Sequence, residues 1–253
     1  MAGTGKGCYI YAIAAVGEDG KTYDFTGMSG GAVSAIAVGG AAMIVSDIAP
    51  SRIRPERRNI AAHQDVLRRL MADGTVLPIT FGTIAERPSA VRTLLARYQK
   101  VLVNQLHRVA GKVEMGIRLA WDVPNIFEYM VTAHEELRAL RDQSLGDGHP
   151  QTRAEKIDLG QAFERMLNAD RETYAGTIEE MLTPVCAELR RNPPRKEREI
   201  MNLACLVERD RLAEFEQAME AASHSFDDRF LFNYNGPWAP HNFVKVDMSF
   251  NRR

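Results

Sequence analysis

The sequence has few cysteines and none in a close pair: Cys8, Cys186 and Cys205 are the three. The number is odd, the spacings are wide and no CxxC occurs, so neither a disulfide framework nor a zinc site is indicated. A reducing cytoplasm fits that usage. An excess of one charge is also lacking, with 32 basic side chains against 33 acidic ones and a net charge of -1. That balance calls for neither nucleic acid nor an anionic membrane as a global partner, and only the basic cluster around Arg195 speaks for a nucleic-acid adaptor. Long apolar runs are absent. The longest mainly apolar stretch, Ala32 to Val45, is too short to span a bilayer and is interrupted by Gly39 and Gly40. The opening MAGTGKGCYIY has no basic region followed by an apolar run and a cleavage site, so no signal peptide is expected. The histidines, His63, His107, His134, His149, His224 and His241, form neither HxxxH nor HExxH. No metal site and no cofactor are expected from them. There is no low-complexity tract and no convincing short repeat.

What is present is globular: 253 residues, 45% of them hydrophobic and 26% charged. That suffices for one large domain or two ordinary ones. Gly7 to Val16 reads as a buried strand before a GEDGK turn. Ala32 to Val38 and Ala41 to Ile48 read as a hairpin, because a Gly-Gly pair between apolar runs supplies the positive φ a tight turn needs. From Pro55 to Met71 the period changes to that of an amphipathic helix carrying Val66, Leu67, Leu70 and Met71. Thr75 to Thr83 is a strand candidate placed at an edge or a bulge by Pro78. Ser89 is a candidate N-cap for a second helix, which Gly111 closes. Lys112 to Asp122 alternates Val113, Met115, Ile117 and Leu119, the period of a strand.

The second half differs. Pro124 opens a helix that carries Ile126, Phe127, Met130, His134, Leu137 and Leu140. The GDGHP break at 146–150 precedes a long helical stripe running from Leu159 to Leu189, interrupted by Asp170, and Pro184 should kink or end that helix. Arg190, Arg191, Arg195, Lys196 and Arg198 gather with Glu188, Glu197 and Glu199 around a Pro-Pro pair. This reads as a solvated loop, with a docking patch as the alternative. Glu199 to Glu208 is an apolar strand, Asp210 is a candidate helix cap, and Arg229 to Asn235 is a strand. The fold class expected is α+β with two domains: 1–121, related to the ferredoxin-like arrangement, and 122–253, an α+β domain with long helices and a small antiparallel sheet.

One motif points to an enzyme. Gly27-Met28-Ser29-Gly30-Gly31 matches G-x-S-x-G, with Lys21 to Thr26 as the preceding strand. In a hydrolase this turn lifts the serine Oγ above a strand-to-helix junction, and a patatin-like dyad would add Asp73-Gly74 or Asp147-Gly148. The segment after Ser29 is rich in glycine and β-formers, so a loop is expected and a serine hydrolase is kept as the alternative function. Gly3 to Gly7 resembles a fragment of a phosphate loop but lacks the strand, the Ser or Thr and the helix that such a loop needs. His63, beside Asp65 at a helix start, is expected to anchor that helix.

Four segments resemble the GvpL/GvpF family of gas vesicle proteins, in the order expected. They are the opening CYIYAIA; His63-Gln64-Asp65-Val66-Leu67 followed by VLPITFGT at 76–83; Leu106 to Glu114, an L-x-x-x-x-G-x-x-E passage; and Asn202 to Val207 with the closing GPWAPHNFV at 236–244. The closing passage is the most specific, although His241 stands where an aromatic is usual. The resemblance implies a modified ferredoxin-like N-domain and an α+β C-domain. It implies a cytoplasmic, non-enzymatic protein, at or in the gas vesicle, that acts as a minor vesicle component or assembly factor. The implied partners are the hydrophobic main shell protein and other accessory vesicle proteins, with no nucleic acid, membrane or small-molecule substrate. Trp238, between Pro237 and Pro240, either plugs the core of its domain or is an exposed anchor for a partner, and Phe243 is read the same way.

Overall fold

A computed structural model describes residues 7–15, 18–49, 53–145 and 152–245. The chain forms two compact units. One takes the chain up to Glu114 and again from Pro237; the other is Met115–Gly236. The α+β class is as expected, with helices on two separate sheets.

The first unit is built around β1 (Gly7–Ala15), an apolar strand buried along nearly its whole length. β2 (Thr22–Thr26), β3 (Ala32–Val38), β4 (Ala41–Ile48), β5 (Val76–Pro78) and β6 (Ile84–Ala85) complete a sheet of order β2-β3-β4-β1-β5, with β6 also on β1. β1 runs antiparallel to β4 from Gly7↔Ile48 to Ala15↔Ala41, with a bulge between Ile10 and Ala12. The expected hairpin is observed: β3 and β4 pair up to Val38↔Ala41 around Gly39-Gly40. Gly39 has a φ of +60°, a left-handed conformation that side-chain-bearing residues rarely adopt, so the tight turn calls for glycine there. α1 (Arg57–Asp73) buries His63, Val66, Leu67, Leu70 and Met71, the stripe its period predicts. α2 (Pro88–Arg108) buries Val91, Leu95, Leu102 and Leu106. Its N-cap is Arg87, not Ser89, because Pro88 takes the first helical position, where a missing N–H costs nothing. The strand expected over Thr75 to Thr83 stops at Pro78. A turn follows in which Ile79 N–H donates to the Tyr11 carbonyl at 2.9 Å.

The second sheet, most of which lies in the second unit, is made of β7 (Lys112–Trp121), β8 (Glu188–Asn192), β9 (Glu199–Glu208) and β10 (Phe230–Trp238) in the order β10-β7-β9-β8. β9 is buried from Glu199 to Val207. Four α-helices form here where the sequence reads as three. α3 (Ile126–Ala133) ends at His134, which turns extended (φ -117°, ψ 114°), and α4 (Glu135–Leu145) begins afresh. Asn125 caps α3, its Oδ1 accepting from the Phe127 and Glu128 amides at 3.0 and 3.3 Å. α5 (Arg153–Leu182) starts on a capping box made by Thr152 and Glu155 and runs unbroken past Asp170, whose Oδ2 meets His134 Nε2 at 3.0 Å. It ends at Leu182, two residues before Pro184, as proline requires. α6 (Leu212–His224) is preceded by a short 3-10 turn over Arg209–Arg211, so Asp210 lies in that turn and does not cap the helix. The charged segment expected to be a solvated loop begins instead as β8, paired from Glu188↔Leu206 to Asn192↔Asn202, and Leu189 lies on it. Its Arg191 is held by Glu179 and Glu172 of α5, which uses the charge a docking patch would need. The GDGHP break lies outside the described residues.

The linear division near Asp122 keeps the closing segment with the second half, whereas its contacts put it with the first. The reason is physical: Ala239 and Phe243 are buried, and Asn242 is bound to Glu114.

Candidate functional site

The closing segment is held at three points. Glu114, 6% exposed, accepts the Asn242 backbone N–H through Oε2 at 2.7 Å and the Asn242 amide through Oε1 at 2.6 Å. Two hydrogen bonds to one carboxylate fix both position and orientation. The Arg108 guanidinium donates to the Phe243 carbonyl. Phe243 is itself 0% exposed. Its side chain is therefore core, and the surface candidate that remains of the two is Trp238. The passage from Leu106 to Glu114 and the closing passage, both singled out in the sequence, thus meet in space. Glu114 and Asn242 were not recognised as partners, because 128 positions separate them and neither carries a local signal.

Trp238 is 44% exposed. It lies with Pro237 and Ala239 along a groove of about 610 Å³ whose opposite side is α1, through Ala62, Leu67 and Met71 among others. Asp65 and Arg68 stand on the rim. Arg69 Nε donates to Asp65 Oδ2 at 2.8 Å, and Arg68 bonds the other oxygen. Arg69 first, then Arg68, hold this carboxyl below its usual range. The rim carboxylate is thereby paired, and between it and the closing segment the groove is lined by an indole and by Ala61, Ala62, Leu67 and Met71.

Behind α1 lies a polar cluster inside the core. His63 is 1% exposed, and its Nδ1 meets the Tyr9 hydroxyl at 2.9 Å. Tyr9 Oη also accepts the Gly82 N–H at 3.2 Å, which ties the cluster to the turn after β5. Nε2 has no hydrogen-bond partner; the Ile79 carbonyl favours the protonated ring without reaching bonding geometry. Burial is the main cause that pushes His63 down to about 4, and nearby His241 adds to it. Burial likewise pushes Tyr9 up to about 12. Such groups stay neutral at physiological pH and act as hydrogen-bonding core, not as acid and base.

The G-x-S-x-G segment has the wrong context for a nucleophile. Met28–Gly30 forms one 3-10 turn between β2 and β3, so Ser29 is followed by a strand where a hydrolase needs a helix. Ser29 is exposed and adopts a left-handed φ of 55°. The loop is there for another reason: the Met28 N–H donates to the Tyr11 hydroxyl at 2.6 Å, and that hydroxyl donates to Ser46 Oγ at 3.0 Å. A Cβ on Gly27 would fall 2.1 Å from the Tyr11 oxygen, which is why glycine is required. No histidine is among the described residues lining the cavity at Ser29; Arg54, Glu56, Arg58 and Asn59 are. Asp73 is the last residue of α1, and Asp147, Gly148, His149 and the Gly3–Lys6 fragment lie outside the described residues. Among the described residues, no group of three or more His, Cys, Asp or Glu could hold a metal ion. No described helix is long and apolar enough to cross a membrane.

Residues 7–245 match the family described as gas vesicle synthesis protein GvpL/GvpF. Gas vesicle protein F of Nostoc sp. strain PCC 7120 is 28% identical over 244 residues, covering 95% of this chain and 99% of that one. Gas vesicle protein F of Streptomyces sp. strain CB03234 is 30% identical over 207 residues, covering 82% and 85%. The crystal structure of GvpF from Anabaena sp. PCC7120 superposes with a TM-score of 0.83 at 27% identity, covering 96% of this chain and 100% of that one.

Proposed function

The chain belongs to the gas vesicle synthesis protein GvpL/GvpF family, and from that premise we propose that it is a cytoplasmic assembly factor or minor vesicle component that binds the hydrophobic shell protein and other accessory vesicle proteins without catalysis. The observation that carries this reading is Trp238. A large apolar side chain is half exposed on a segment that Phe243, Glu114 and Arg108 hold in place, beside a groove whose one carboxylate, Asp65, is paired. An anchor of this kind binds at low entropic cost, and tryptophan is enriched among residues that dominate interfaces. The groove covers apolar surface of the shell protein and keeps it from aggregating before it joins the wall.

Purified shell protein diluted from denaturant tests this. With this protein present, light scattering stays low; Trp238→Ala lets it rise. Equal scattering with and without the wild-type protein defeats the reading. Immunoblotting of washed vesicles then sorts a retained wall component from an assembly factor that leaves.

A further inference from the structure

We infer that β10 is a docking edge, on which an extended, uncharged segment of the shell protein adds as a further strand of the second sheet. The inference rests on the shell-binding reading above and names where the contact is made.

Sheet edges expose unpaired backbone N–H and C=O groups, and proteins protect them by shortness, charge, proline or bulges. Among the described residues, the sheet edges follow that rule with one exception. β2 has five residues with Asp24 at its centre. β5 has three and ends in Pro78, and β6 has two. β8 has five, of which Glu188, Arg190 and Arg191 are charged. β10 is terminal in its sheet and runs for nine residues, FLFNYNGPW, without a charged side chain; its one proline comes near the end.

The strand is also held ready. Phe230 packs on Tyr174 and on Phe226, each with ring centroids 5.0 Å apart, and Phe232 lies 5.2 Å from Phe226. The Tyr234 hydroxyl donates to Glu216 of α6 at 2.9 Å. One face of β10 is thus fixed on α5, α6 and the residues that follow. Between these positions Leu231 stays 55% exposed, with exposed Asn233 beside it. An edge with no charge offers no counter-ion, so a charged strand would lose hydration there without compensation. The occupant that fits is an uncharged strand with an apolar side chain beside Leu231. Main-chain hydrogen bonds supply the affinity, and the alternating positions supply the selectivity.

Co-expression of the tagged full-length protein with the shell protein, capture, and amide hydrogen exchange on the captured complex test this. Leu231→Lys and Asn233→Lys are each expected to reduce captured shell protein at least tenfold with the melting temperature unchanged. Backbone amides between Phe230 and Gly236 are expected to exchange more slowly in the complex than in the free protein. Unchanged capture by both variants overturns the edge inference and leaves the shell-binding reading standing. So does capture with β10 amides exchanging at the free rate. Protection that appears in the protein alone, with a dimer seen by light scattering, assigns the edge to a second copy of this chain and also overturns it. If the wild-type protein captures no shell protein at all, the reading of function fails and the inference falls with it.

Discussion

Phe243→Ala and Trp238→Ala, five positions apart, should fail in different ways. Phe243 is fully buried, and truncating such a phenylalanine to alanine costs about 3–5 kcal/mol. Domains of this size are stable by about 5–15 kcal/mol, so the loss is a large share of the total. With a urea dependence of about 2 kcal/mol per molar, the unfolding midpoint should fall by roughly 2 M. The segment that presents Trp238 loosens with it, so capture of the shell protein falls as well. Trp238, being 44% exposed, gives up about 1 kcal/mol of stability from its covered half. As an anchor at the interface centre it should cost at least about 2 kcal/mol of binding, roughly thirtyfold in affinity. Urea melts followed by circular dichroism and capture of the shell protein are read side by side. The reasoning is refuted if Phe243→Ala moves the midpoint by less than about 0.5 M, a cost below about 1 kcal/mol. It is refuted equally if Trp238→Ala leaves capture unchanged.

Three further outcomes are expected. Glu114→Gln puts an amide NH₂ where one of two carboxylate oxygens accepts from Asn242, and should destabilise by about 2 kcal/mol, read from the urea midpoint. Acid should destabilise the protein through His63, which titrates near 6.5 when unfolded and at about 4 when folded. Between those values the unfolded chain binds more protons, so His63 takes nothing from stability above pH 6.5 and up to about 3 kcal/mol as the pH falls to 4. His63→Gln should flatten that part of the pH profile, and an unchanged slope would contradict the assignment. A fluorophosphonate probe should leave Ser29 unlabelled; labelling that Ser29→Ala abolishes would revive the hydrolase.

The strongly periodic elements were legible. α2 and β7 carry repeats of 3.6 and 2 that survive folding, because Val91, Leu95, Leu102 and Leu106 on one and Val113, Met115, Ile117 and Leu119 on the other are the residues buried. The β3–β4 turn was legible from its two glycines. β8 was not, because a short edge strand is protected by the same charges that mark a loop. Nor was the break at His134, where the apolar stripe continues from α3 into α4 although the backbone does not. The site divides in the same way. Trp238 stood out between its prolines, whereas the carboxylate and the amide that hold it in place meet only through the fold.

The central claim is that this chain binds the proteins of the gas vesicle. The most direct test is a pull-down of the tagged protein from cells that make gas vesicles, with the eluate identified by mass spectrometry. The account predicts the small hydrophobic shell protein together with other accessory vesicle proteins, in amounts that fall with Trp238→Ala. An eluate free of vesicle proteins would contradict it.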